Sequence, residues 1–145
     1  MATRNGSATW RGDLQGGTGR VTVGNGVHEG PYTFKSRFEE EGEDGTNPEE
    51  LVAAAQAACY SMQLSAGLAN DGHEPDEVTT DVRAVLRNID GAPTIATIEL
   101  RTRGRVPGID QETFQRYAEE AKRDCLITRA LGGVKEFDLE ATLES

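Results

Sequence analysis

Residues 51–68 carry no charge of either sign, and no other feature restricts this chain so strongly. The run is rich in alanine, the residue that most favours helix. Its start is marked by Thr46-Asn-Pro-Glu-Glu-Leu51, where Asn47 can cap the helix with Pro48 in the first helical position and Glu49 and Glu50 at the positive end of the dipole. Gln56, Ser61, Gln63 and Ser65 interrupt the run, which falls short of the roughly 20 predominantly apolar residues that a membrane span needs. It also lacks a polar side wide enough to face water, so a buried helix is expected. Ala53, Ala54, Ala57, Ala58 and Gly67 would let another backbone pack closely against it. A chain of 145 residues has little else with which to surround such a helix, and a second copy is the natural cover.

The flanking pattern predicts an N-terminal β-meander. Strands are expected over residues 7–14, 19–23 and 32–38, with Gly16-Gly17 and Gly24-Asn25-Gly26 as turns. An acidic loop over residues 39–45 then leads to the helix. Beyond it, Val78, Thr80, Val82, Ala84 and Leu86 alternate on one face, and Asp90-Gly91 turns the chain into a second strand over residues 94–103, which is a hairpin signal. Asp110 is placed to cap an amphipathic helix whose Phe114, Tyr117, Ala118 and Ala121 form an apolar stripe that Cys125 continues. Phe137, Leu139, Ala141 and Leu143 alternate with polar residues in a last, half-buried strand. The order is three strands, long helix, hairpin, helix and strand. It predicts an α+β fold and a single domain over residues 1–145.

A net charge of −10 repels nucleic acid and anionic membranes, and only Arg101, Arg103 and Arg105 bring basic residues close together. The first residues lack the apolar stretch of an export signal, which predicts a cytoplasmic protein. In a reducing compartment a permanent disulfide would be unusual, so Cys59 and Cys125 point to redox or metal chemistry. Metal chemistry would need His28 or His73 as further ligands, yet no ligand pair has the usual spacing, so no metal is expected. Phosphate-binding and serine-nucleophile motifs are absent from the sequence.

Cys59 sits in the middle of the uncharged helix, where most cysteines are simply small buried hydrophobes. A reactive thiol there could not use the end of its own helix to stabilise the thiolate and would need a cation. Arg37, at the end of the third strand, is one candidate and Arg20 another. Glu49 lies ten positions before Cys59, about 15 Å along a straight helix at 1.5 Å per residue. For the two to meet, either the helix bends or Glu49 comes from a second chain.

Residues 45–62, Gly-Thr-Asn-Pro-Glu-Glu-Leu-Val-Ala-Ala-Ala-Gln-Ala-Ala-Cys-Tyr-Ser-Met, closely resemble the signature of the OsmC/Ohr family of organic hydroperoxide reductases. The likeness extends to the first strand at Ala8-Thr-Trp-Arg-Gly-Asp13, to the third, and to Val106-Pro-Gly-Ile109 before the second cysteine's helix. Ser36-Arg-Phe-Glu39, together with the lack of a G-R-D-G loop, makes the chain more similar to the OsmC branch.

The resemblance implies an OsmC-like fold in an intertwined homodimer with composite sites at the interface. It implies that Cys59 attacks the peroxide, Cys125 resolves the product as a disulfide, Arg37 stabilises the thiolate and Glu49 hydrogen-bonds within the site. The activity implied is thiol-dependent reduction of organic hydroperoxides, with room for hydrogen peroxide, fed by an external thiol or dithiol of the lipoyl type. A thiol-based sensor, a disulfide-transfer protein or a non-catalytic ligand-binding dimer of the same fold are the alternatives. Cys125 is followed by Leu126-Ile-Thr128, where the family usually carries proline and, one residue later, serine. Thr128 can replace the serine, while the start of the following helix is left open.

Overall fold

The computed structural model describes residues 1–39 and 44–145 and forms six strands and four helices within them. That mixture is the expected α+β class. The described residues divide into two compact units, Met1–Leu51 and Val52–Ser145.

In the first unit, β1 (Gly6–Arg11), β2 (Thr18–Val23) and β3 (His28–Thr33) form an antiparallel meander in the order β1-β2-β3. The first strand ends earlier than expected because Gly12 takes φ +95, a conformation L side chains rarely adopt. The third departs further: the chain leaves the sheet at Thr33 and forms a short helix, α1 (Phe34–Phe38). Thr33 and Ser36 build a capping box. The Ser36 amide donates to Thr33 Oγ1 at 3.1 Å and the Thr33 amide to Ser36 Oγ at 2.8 Å. One turn apart, Phe34 and Phe38 then stack their rings 4.9 Å from centre to centre. Arg37 is therefore a helical residue rather than a strand end. Most of the acidic loop expected over residues 39–45 lies outside the described residues.

Asn47 caps α2 (Pro48–Asn70) as predicted, accepting from the Glu50 amide at 2.8 Å. The same side chain donates to the Ser36 carbonyl at 2.9 Å, which joins α1 to the start of α2.

The second unit contains the rest of α2, β4 (Glu77–Ile89), β5 (Ala92–Arg105), α3 (Gln111–Asp124), α4 (Leu126–Ala130) and β6 (Glu136–Glu144). The predicted hairpin joins β4 to β5 through Asp90 and Gly91, both at positive φ. A register shift between Val85 and Leu86 breaks the alternation read from the sequence, and Leu86 ends up exposed instead of facing inward with Val82 and Ala84. β6 pairs parallel with β5 after a crossover through α3 and α4. Asp110 Oδ1 accepts from the Thr113 amide at 2.8 Å and caps α3 as expected.

Tyr60, Leu64 and Leu68 of α2 pack with Ile98 and Leu100 of β5 and with Phe114, Tyr117, Ala118 and Ala121 of α3 to form the core. Gly104 of β5 admits the Phe114 ring, since a Cβ there would lie 2.6 Å from it. Helix α2 is buried along one stripe, Gln56, Tyr60, Leu64 and Leu68, while Ala54, Ala58, Met62 and Ala66 on another face are exposed. Arg101, Arg103 and Arg105 form no basic patch. They pair with Glu140, with Asp81 and Glu144, and with Glu77 on the flanking strands. Among the described residues, no helix is long and apolar enough to cross a membrane.

Candidate active site

Cys59, on α2, meets Cys125 at the junction between α3 and α4. Both are free, and Cys125 Sγ donates a hydrogen bond to Cys59 Sγ across 3.1 Å. Cys125 is fully buried, whereas Cys59 is only partly so. The junction is compact because Cys125 closes one helix and opens the next. Its amide donates to the Ala121 carbonyl at 2.9 Å, and its carbonyl accepts from the Arg129 amide at 3.0 Å. Helix α4 begins directly at Leu126 without proline, which answers the question left open by the sequence.

The first turn of α4 aims its amides at both sulfurs. Burial, and then the neighbouring Cys125, raise the Cys59 thiol pKa against the opposing hydrogen bonds from the Ile127 and Leu126 amides. Burial also acts upward on Cys125, but the Thr128 amide, a hydrogen bond that the Cys59 thiol donates once Cys125 is ionised, and the Thr128 hydroxyl outweigh it and lower its pKa. The α4 amides oppose the effect of burial at both sulfurs. The helix terminus that Cys59 lacks on its own helix is thus supplied in part by another.

Sequence reading missed Gln56. This residue is fully buried. Its Nε2 donates to Thr128 Oγ1 at 2.8 Å and lies 3.8 Å from Cys125 Sγ. The available signal was a polar residue one turn from Tyr60 on a helix face that is otherwise apolar. Tyr60 itself donates to the Ala118 carbonyl at 2.9 Å, and burial together with the charge of Glu119 raises its pKa, which keeps the phenol protonated.

The other two predicted site residues also meet each other. Arg37 Nε donates to both carboxylate oxygens of Glu49, at 3.1 and 3.2 Å, and its Nη2 donates to Oε1 at 2.7 Å. This fork fixes the plane of the guanidinium. Below Arg37 is the Phe38 ring, 5.0 Å away, and beside it lies a cavity of about 200 Å³ lined by Trp10, Leu14, Tyr32, Phe34 and Phe38. Arg20, the other candidate cation, is held by Glu29 at 2.6 Å on the neighbouring strand. His28 starts β3 and is exposed, while the His73 ring lies 6.1 Å from that of Tyr117. Among the described residues, no group of three His, Cys, Asp or Glu could hold a metal ion. The predicted residues therefore form two pairs, Cys59 with Cys125 in the second unit and Arg37 with Glu49 in the first.

The family model described as "OsmC-like protein" matches residues 41–140. "Peroxiredoxin OsmC" of Escherichia coli K12 is 41% identical over 143 residues, covering 98% of this chain and 97% of that protein. An "Organic hydroperoxide resistance protein" of Xanthomonas axonopodis pv. citri is 37% identical over 103 residues, covering 70% of this chain and 69% of the other. The crystal structure of an organic hydroperoxide resistance protein from Elizabethkingia anophelis shares the fold at a TM-score of 0.72 and 24% identity, covering 100% of this chain and 97% of that one.

Proposed function

The chain belongs to the OsmC-like family, and from that membership we propose that it is a thiol-dependent peroxidase that reduces organic hydroperoxides in oxidative stress defence. One observation carries the reading: a partly accessible thiol, Cys59, stands 3.1 Å from a buried one, Cys125, with both free. The relatives' names, peroxiredoxin and organic hydroperoxide resistance protein, support the same chemistry.

Cys59 attacks the outer peroxide oxygen as a thiolate. An S–O bond forms, the O–O bond breaks, and the alkoxide takes up a proton to leave as the alcohol. Cys125 then condenses with the Cys59 sulfenic acid, releasing water and leaving a disulfide. An external thiol or dithiol, of the lipoyl type, supplies two electrons to restore both thiols. Neither step calls for a metal or an organic cofactor.

Burial disfavours the Cys59 thiolate, so a cation must complete the site. Arg37 is that cation. It lowers the thiol pKa and stabilises the charge that develops on the leaving oxygen, while Glu49 orients the guanidinium. Glu49 precedes Cys59 by ten positions in the sequence, about 15 Å along a straight helix. The Arg37–Glu49 pair of one chain therefore completes the Cys59–Cys125 pair of another, in a homodimer with two composite sites. Each chain is one OsmC-like domain over residues 1–145, and the exposed uncharged face around Ala58 and Met62 lets the two α2 helices pack together. The aromatic cavity beside Arg37 accepts the organic part of the hydroperoxide. Dependence on a thiol reductant suits the cytoplasm.

A dithiol-coupled assay comparing an alkyl hydroperoxide with hydrogen peroxide tests the reading. Multiple turnovers, faster with the alkyl substrate, are expected. A single oxidation that stops despite excess dithiol would identify a redox sensor instead.

A further inference from the structure

We propose that Gln56 is a positioning residue that holds Cys125, directly and through Thr128, as the nucleophile that closes the Cys59 sulfenic acid to a disulfide. The inference rests on the reading of Cys59 as the peroxide-attacking sulfur.

Gln56 stands on the buried stripe of α2 one turn before Tyr60, where its neighbours Leu64 and Leu68 are apolar. Its Oε1 is buried without a hydrogen-bond partner among the described residues. An unpaired acceptor works against folding, so an apolar side chain of similar size would suit the core better. What the amide provides is on its other side. Nε2 donates to Thr128 Oγ1 at 2.8 Å. With that lone pair occupied, the Thr128 hydroxyl hydrogen is left to turn toward Cys125 Sγ. The same Nε2 lies 3.8 Å from Cys125 Sγ, within reach of a weak contact to sulfur. Cys125 is thus held by donors on two sides, Gln56 from α2 and Thr128 from α4, and faces Cys59 on its remaining side. The nearby Tyr60 hydroxyl is committed to the Ala118 carbonyl.

In the step that Gln56 assists, the Cys125 thiolate attacks the sulfenic sulfur of Cys59. One S–S bond forms and one S–O bond breaks. The hydroxide leaves as water with the proton that Cys125 gave up, so no outside oxidant or reductant takes part. Donors that favour the Cys125 thiolate and fix its lone pair on the line of attack speed this step without touching the peroxide.

Full-length protein carrying Gln56→Leu, which keeps the bulk and removes the donor, is reduced and given one equivalent of an alkyl hydroperoxide. Peroxide loss reads the attack, and quenching with dimedone reads the lifetime of the Cys59 sulfenic acid. The ratio of closure rate to attack rate is expected to fall about tenfold, the effect of losing one net hydrogen bond. The pH at which closure is half-maximal should also rise. Thr128→Val should give the same shift, and the double variant little more than either alone. Equal losses in both steps with an unmoved pH profile would assign Gln56 a purely structural role and overturn the inference, as would wild-type closure in both single variants. If the wild type forms no Cys59 adduct at all, the peroxidatic reading fails, and the role given to Gln56 falls with it.

Discussion

Cys125 Sγ rests 3.1 Å from Cys59 Sγ, with a hydrogen bond rather than a covalent bond between them. A disulfide requires that gap to shrink by about 1 Å. Oxidation should therefore proceed without unfolding of α2 or α3. Cys59→Ser is expected to abolish peroxide turnover. Cys125→Ser should consume about one equivalent and stall as a sulfenic acid or mixed disulfide. Quantifying peroxide consumed per chain, with mass spectrometry of the trapped product, separates the two. Multi-turnover activity in Cys59→Ser would end the assignment.

Arg37→Ala should leave the fold intact, because the side chain is 38% exposed and its fork to Glu49 lies near the surface. Loss of a positive charge makes the thiolate less favourable, so the Cys59 pKa should rise, and alkylation near neutral pH should slow about tenfold. Arg20→Ala, which frees only the exposed pair with Glu29, should leave that pH profile unmoved. The opposite pattern would transfer the cation's role to Arg20.

The shared-site arrangement predicts complementation. Cys59→Ser and Glu49→Ala chains, each inactive alone, are refolded together. Each heterodimer should recover about half the activity of a wild-type dimer, since one of its two composite sites is intact. Sedimentation showing a folded monomer with full peroxidase activity would rule the arrangement out.

Gly104→Ala tests the core. The added Cβ would press on the Phe114 ring at 2.6 Å, and overpacking of this kind costs about 1–3 kcal/mol. The midpoint of denaturant unfolding should fall with its slope unchanged, and pairing the change with Phe114→Leu should recover part of the loss. An unshifted midpoint would mean that α3 can move away from β5 at little cost.

The Asp110 carboxyl is held below its ordinary value of 3.8 by the side chain and amide of Thr113. Its folded form therefore binds fewer protons than the unfolded chain just below that pH. The stability it adds is present above the unfolded value and is lost as pH falls through the folded one. Asp110→Asn keeps a capping oxygen and removes the titration, so acid unfolding followed by circular dichroism should be less steep in that range. An identical acid limb would place the titration elsewhere.

Local chemistry was the most legible part of the fold. Asn47 and Asp110 each cap a helix from within three residues, and Asp90-Gly91 turns its own hairpin, so short-range sequence specifies them. Residues 32–38 were harder to read because their aromatic residues satisfy two periods. Tyr32, Phe34 and Phe38 fit an alternating strand, yet Phe34 and Phe38 also fit one helical turn. The Thr33–Ser36 capping box decides for the helix. Leu86 escapes the alternation because a register shift depends on the partner strand.

Within the site, the family resemblance points to Cys59, Cys125, Arg37 and Glu49, but the roles of Gln56 and of the α4 amides are not legible in the sequence. Both depend on Cys125 arriving from far along the chain, and a tertiary approach of that kind leaves no local trace.

Closing the Cys59–Cys125 bond would tie together two points 66 residues apart. A cross-link spanning such a loop restricts the unfolded ensemble by about 4 kcal/mol. The molecule would then be hardest to unfold or degrade just after it has met an oxidant, and would soften again on reduction.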